Sequence, residues 1–223
     1  MRFGLIGDVH AEDGFLARTL DELAAAPVDK ILCTGDVVDG LGSVDRACAL
    51  LRERNVVTVR GNHDRWIRSD ELRTLPHAHR MTELAAETIL FLKELPETLS
   101  LDLASPTHGG GRLLLCHGVG KNDMCRLGPD DYGYAISSNE DLLALLFDPS
   151  IHIMVGGHTH RPMLRRFGRS SAKSPLWVVN PGTLARENEP GYAILDLVRA
   201  SVDFYRFASP NERAKHSTTA MLS

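Results

Sequence analysis

The 223-residue sequence predicts an α/β layered domain, and three observations carry that expectation. Short apolar runs rich in β-branched residues recur along the chain, a turn signal follows each of them, and helical patterns stand between them. The first run is RFGLIGD, followed by a helical pattern from Gly14 to Ala26 that stops at Pro27. KILCTGD comes next, then a helix over Val44 to Asn55 and a third run, NVVTVRGN. A helical pattern from Glu83 to Leu95 ends at Pro96, before the run GRLLLCHG. Asn139 to Phe147 reads as a helix with Ser138 and Asn139 as N-cap candidates, acidic residues in its first turn and Pro149 as its stop. IHIMVGGH and LWVVNPGT complete the buried strands. GYAILDL and SVDFYRF, joined by the short Val198 to Ala200 link, read as an antiparallel pair at a sheet edge. Apolar periodicity is lost after Phe207, so residues 1–208 are expected to form one domain and 209–223 a flexible tail.

Composition narrows the function classes. Hydrophobic residues at 43% and charged residues at 24% exclude a disordered chain, a fibrous repeat and a coiled coil. A formal charge of −4 supplies no basic field for duplex nucleic acid, although a local groove can still hold a nucleotide. Cys33, Cys48, Cys116 and Cys125 lie in no CxxC spacing and read as small buried hydrophobes of a reducing compartment. The opening MRFGLIGDVH is too short for a signal-peptide core, and nowhere do about 18 apolar residues run together as a membrane span requires. A cytoplasmic protein without a membrane partner is the expectation.

Chemistry concentrates where the strands end. The loops after them read GDVH, GDVVDG, GNHD, CHG and GGHTH, and they hold His10, His63, His117, His158 and His160, five of the ten histidines. In open α/β sheets these carboxyl ends face the ligand crevice. Residues two apart on an extended segment project to the same side, so Asp8 with His10, and His158 with His160, can each offer a pair of ligands to one place. Carboxylates, an amide and five imidazoles make a poor structural core, because unpaired buried polar groups cost free energy. A metal site accounts for them.

In order and form these five blocks resemble the calcineurin-like metallophosphoesterases, and the flanking segments FLKELPETL and NPGTLARENEPGYAILDL are similar to the small bacterial and archaeal phosphodiesterase branch. The resemblance spans Met1 to Phe207. It implies a four-layer αββα sandwich with a dinuclear metal site at the strand C-terminal edge. Carried over residue by residue, Asp8, His10, Asp36 and His160 would hold one ion and Asp36, Asn62, His117 and His158 the other, with Asp36 bridging. Two imidazoles mixed with oxygen ligands, and no thiolate, favour Mn or Fe, with Zn, Co and Ni also compatible. The expected reaction is in-line attack of a metal-bridging hydroxide on a small-molecule or nucleotide phosphate ester, most naturally a diester. His63 is left free to protonate the leaving group, with Asp64 orienting its imidazole.

Alternatives stand beside this reading. A phosphomonoesterase or dinucleoside polyphosphate hydrolase of the same family shares the chemistry, but those enzymes usually carry an Arg after the second-block Asp, where this block reads GDVVDG followed by Leu41, and a Glu at the end of the third block, which here is Asp64. A metal-binding scaffold for protein partners is the alternative of another class, and the intact ligand set argues against it. A homo-oligomer is compatible with the sequence. His77 and His79 read as part of a solvated loop, while His108, His152 and His216 carry no assigned role. Arg65 and Arg186 read as surface charge or phosphate contacts, and Lys121 to Tyr134 either as a loop over the metals, with Tyr132 and Tyr134 as stacking or packing candidates, or as a loop that only covers the fold.

Overall fold

The apolar runs become strands that join into two sheets. A computed structural model describes residues 1–103, 111–170 and 174–222, so His108 lies outside the described residues. In chain order the elements are β1 (Arg2–Ile6), α1 (Asp13–Ala25), β2 (Lys30–Cys33), α2 (Val44–Glu53), β3 (Val57–Thr58), α3 (Asn62–Ser69) and, after a 3-10 turn at Met81–Glu83, α4 (Ala86–Glu94). There follow β4 (Leu99–Leu103), β5 (Gly111–Leu115), α5 (Tyr134–Ser137), α6 (Glu140–Phe147), β6 (Ile151–Val155), β7 (Met163–Phe167), β8 (Leu176–Asn180), β9 (Gly191–Asp196), β10 (Ser201–Arg206) and β11 (Lys215–Met221). One sheet has the order β11-β10-β9-β1-β2-β3 and the other β4-β5-β6-β8-β7.

Parallel pairing decides where the loops go. β1, β2 and β3 run parallel in the first sheet, and β5, β6 and β8 run parallel in the second. Their carboxyl ends deliver the polar loops to the crevice side of each sheet. Phe3, Leu5 and Leu32 meet Leu113, Leu115, Ile153 and Val155 between the sheets. On the outer face of the first sheet, Leu16, Leu20, Leu51 and Leu92 of α1, α2 and α4 pack over Ile6 and Cys33. Leu142 and Leu145 of α6 cover Leu114, Met154 and Val178 on the outer face of the second. The layers are therefore αββα, and each fully buried Leu or Ile among them contributes about 1.5–3 kcal/mol. Asn139 caps α6 by accepting from Leu142 N at 2.9 Å. Cys33, Cys48 and Cys116 are buried, and Cys125 is partly so.

Two expectations are corrected here. GYAILDL and SVDFYRF pair antiparallel, but β9 also pairs with β1, so neither strand is the sheet edge. The edge is β11, which lies antiparallel along β10 from Lys215 to Met221 within the segment expected to be a flexible tail. Its side chains are mostly exposed, which removes the apolar signature of a strand. What holds it is the backbone ladder, the Ser217 hydroxyl donating to Phe204 O, and the packing of Ala220 and Leu222 on the inter-sheet core. The short helix α3, beginning inside GNHD, also had no periodic signal.

Candidate metal centre

Sharp turns at the strand ends build the site. His10, Asp36, Asp39, His158 and His160 all stand at positive φ, between 46° and 64°, where a residue bearing a Cβ is uncommon. Such backbone persists only where its surroundings over-determine it, and five of these positions fall at one place. Two glycines permit the approach of the carboxylates. A Cβ on Gly61 would fall 2.0 Å from Asp36 Oδ1, and one on Gly157 would fall 2.2 Å from Asp8 Oδ1.

Asp8, His10, Asp36, Asn62, His117 and His160 of the seven expected ligands come together, with the His158 ring beside that of His117. Asp8 arrives from β1, Asp36 from the loop after β2, Asn62 from the first turn of α3, His117 from the end of β5, and His158 and His160 from the loop after β6. His160 Nε2 lies 3.0 Å from Asp8 Oδ2 and 3.0 Å from His10 Nε2. His117 Nε2 lies 2.9 Å from Asn62 Oδ1 and 3.2 Å from Asp36 Oδ2, and the His158 ring is centred 5.3 Å from that of His117. One ligand atom each from Asp8, Asp36 and His117 fall within 4.8 Å of one another, as do those of Asp8, His10 and His160.

Backbone acceptors fix the imidazoles. His10 Nδ1–H donates to Asp39 O at 2.9 Å, and His117 Nδ1–H donates to Thr34 O at 2.9 Å. A carbonyl cannot donate, so in each neutral ring the lone pair stands on Nε2, facing the cluster. Thr34 Oγ1 and the His158 amide donate to Asp8 Oδ1, yet buried Asp8 Oδ2 has no hydrogen bond of adequate geometry despite its closeness to His160. Lone pairs thus converge on one place, and either protons or a cation must reconcile them. Burial alone would depress the His117 imidazolium, but Asp36 and Asp8 overcome it and push the group up to about 10. Burial would raise Asp8, and His117 with His160 hold it below the ordinary carboxylate range. Asp36 is lowered in the same way, against its burial, by His117, His63 and His10. A strongly paired acid and imidazole set that releases protons on ligation suits a divalent metal.

His63 and Asp64 divide differently from the expectation. His63 Nδ1–H donates to Asp39 Oδ2 at 2.8 Å, while a ring nitrogen lies within 4.8 Å of ligand atoms of His10 and Asp36. Asp64 does not touch that ring. Its Oδ1 accepts from the amides of Val37 and Val38, and its Oδ2 from Gly61 N at 2.9 Å, so it caps α3 and ties the second block to the third. Burial, with Asp36 nearby, pushes the Asp64 carboxyl up to about 6. The carboxylate that His63 reaches is Asp39, the second of GDVVDG. Burial would lower His63, but Asp39 and Asp36 raise it.

Other expected contacts are spoken for. Arg65 makes a bidentate pair with Asp123 at 2.8 and 3.0 Å, which ties α3 to the loop after His117, and Arg186 makes one with buried Glu12 at 2.6 and 2.7 Å. Tyr132 and Tyr134 are exposed. The His77–His79 segment, expected as a solvated loop, rests on GDVVDG instead: His77 O accepts from Gly40 N, and His79 N donates to Asp39 Oδ1 at 2.9 Å. The Trp66 ring packs on that of His63 with centroids 4.6 Å apart.

A sequence model described as the calcineurin-like phosphoesterase superfamily domain matches residues 1–200. A protein of Methanocaldococcus jannaschii described as uncharacterized is 24% identical over 215 residues, covering 86% of this chain and 81% of that one. A metallophosphoesterase from Sphaerobacter thermophilus is 24% identical with a TM-score of 0.66, over 93% of this chain and 88% of that one. Yfce, a phosphoesterase from E. coli, is 18% identical with a TM-score of 0.55 over the whole of both chains. At these identities the solved structures bear on the fold.

Proposed function

We propose that this chain, which belongs to the calcineurin-like phosphoesterase superfamily, hydrolyses a small-molecule or nucleotide phosphate ester, preferably a diester, with two divalent ions. The observation that carries the reading is the convergence of metal-facing lone pairs around an orphaned carboxylate oxygen, Asp8 Oδ2, at the edge where both sheets end their parallel strands. Asp8, His10, Asp36 and His160 would hold one ion, and Asp36, Asn62, His117 and His158 the other, with Asp36 shared. Mixed imidazole and oxygen donors favour Mn or Fe over Mg or Ca. Bound there, the ions would supply Lewis acidity toward the phosphate oxygens and a water nucleophile at neutral pH.

The chain's own groups do the rest. Thr34 O and Asp39 O hold His117 and His10 in the tautomer that binds metal. The Asn62 amide, at the start of α3, faces the same place and can donate to a phosphate oxygen. His63 delivers a proton to the departing alkoxide, and Asp39, rather than Asp64, orients its ring and steadies its cationic form. A metal-supplied water nucleophile of that kind needs no covalent enzyme intermediate.

The test is metal analysis of the purified protein together with hydrolysis of a chromogenic diester and monoester, each with and without added Mn. About two ions per chain and metal-dependent turnover, faster on the diester, are expected. Two bound ions with no hydrolysis of any phosphoester would leave a metal-binding scaffold, and faster monoester turnover would reverse the substrate preference.

A further inference from the structure

Arg73 lies outside all five sequence blocks, yet its side chain is only 3% exposed. Its guanidinium meets the Asp39 carboxylate in a fork, Nη1 to Oδ1 at 2.8 Å and Nη2 to Oδ2 at 3.0 Å. Two further bonds fix the guanidinium to its own loop, Nη1 donating to His79 O at 2.8 Å and Nε to Glu71 O at 2.6 Å. That loop is held on GDVVDG by Gly40 N donating to His77 O at 3.2 Å. Asp39 Oδ1 therefore receives Arg73 and the His79 amide, and Oδ2 receives Arg73 and His63 Nδ1–H. The carboxylate is 5% exposed and fully partnered.

We propose that Arg73 is a positioning residue for leaving-group protonation, clamping Asp39 so that His63 keeps one ring nitrogen bonded and turns the other to the metal centre. This rests on the phosphoesterase reading given above. A bidentate fork fixes the plane of a carboxylate as well as its place, which a single ammonium does not. The permanent charge of Arg73 also compensates Asp39 whether or not His63 carries its second proton. A buried acid shared between Arg73 and His63 can then hold the imidazole in one orientation through both halves of the proton transfer. Charge balance is kept throughout, since the proton that leaves His63 goes to the ester oxygen and solvent returns one to the ring.

The test uses the metal-loaded protein and a series of aryl phosphodiesters whose leaving groups run from p-nitrophenol to phenol. Nitrophenolate departs without a proton, whereas phenolate gains most from one. Arg73→Gln is expected to retain metal content and KM but to lose at least about tenfold more kcat on the phenyl ester than on the nitrophenyl ester, part of the 10²–10⁴ that positioned proton transfer supplies. His63→Asn should give the same selectivity, and the double variant no further loss, because the two residues act as a unit. Arg73→Lys, which keeps charge without the fork, should recover part of the phenyl-ester rate. A loss equal across the series, or losses that add in the double variant, would assign Arg73 to fold maintenance and overturn the proposal. Should Arg73→Gln fail to fold, Arg73→Lys decides alone: its losses must grow toward the phenyl ester, and an even loss overturns the proposal. A metal-loaded parent inactive on every ester would remove both this inference and the phosphoesterase reading, whereas an active parent with an even loss removes only the inference.

Discussion

Asp39 and Asp64 both lie close to His63, and they differ in what their oxygens accept. Asp64 is spent on three backbone amides, whereas Asp39 holds one imidazole through its side chain and another through its carbonyl. Replacing Asp39 by Asn should lower kcat by about 10²–10⁴, as loss of an orienting carboxylate beside a general acid does, and should also cost stability, because it leaves the buried Arg73 guanidinium uncompensated. Asp64→Asn should cost about 1–3 kcal/mol of stability for the backbone amides left short of an acceptor, with kcat within a few fold of the parent. Paired kcat measurements and urea midpoints check both, and a dead but stable Asp64→Asn protein would reinstate Asp64 as the orienting acid. Sequence adjacency favoured Asp64, the next residue to His63. Which carboxylate reaches Nδ1 depends on the path of the GDVVDG loop and the first turn of α3, and spacing along the chain carries no such information. The seven expected ligand positions could be singled out because their blocks sit at strand ends in a recognisable order. Arg73 and Thr34 were not, since an arginine in a polar loop and a backbone carbonyl have no pattern of their own.

At the scale of elements, legibility follows burial. The strands covered on both faces, β1, β2, β5, β6 and β8, announce themselves as continuous apolar runs, as parallel strands between helices and a second sheet must. The outermost strands carry weaker signals: β7 reads MLRRF and β11 reads KHSTTAM, with charged or hydroxyl side chains facing outward. Polar side chains are suited to a strand whose outer edge meets solvent. β11 is nonetheless structural, because it shields the edge of β10, and Ala214 N just ahead of it donates to Glu22 of α1. Truncation after Phe207 should bare that edge. The shortened protein is expected to melt at least about 5 °C lower and to self-associate on size-exclusion chromatography, while the metal ligands are all still present. Unchanged melting and a monodisperse profile would mean that the ladder to β11 adds nothing to the fold.

Across the whole molecule, the site joins what the topology separates. Asp8, His10, Asp36 and Asn62 belong to the sheet of β1, β2 and β3, whereas His117, His158 and His160 belong to the sheet of β5 and β6. Ions shared between these groups would staple the two sheets at the edge where the inter-sheet core gives way to polar loops. The remainder of that core, from Phe3 to Leu195, is apolar and needs no such help. Metal removal should then loosen one edge rather than unfold the protein. At free metal about a hundredfold above its dissociation constant the linkage is about 2.7 kcal/mol per ion, and with two ions, at about 2–4 °C per kcal/mol for a chain of this size, chelation should lower Tm by about 10–20 °C. Hydrogen exchange should accelerate at residues 7–10, 35–40, 116–118 and 156–160 and stay slow in the middle of β1 and β6, since local opening is confined to elements that lose their partners. Protection that falls evenly over both sheets would instead mean that the ions support the entire fold. An unchanged Tm, with the chelated protein proven metal-free, would mean that the proton-bridged acid and imidazole pairs hold the edge as well as the ions do.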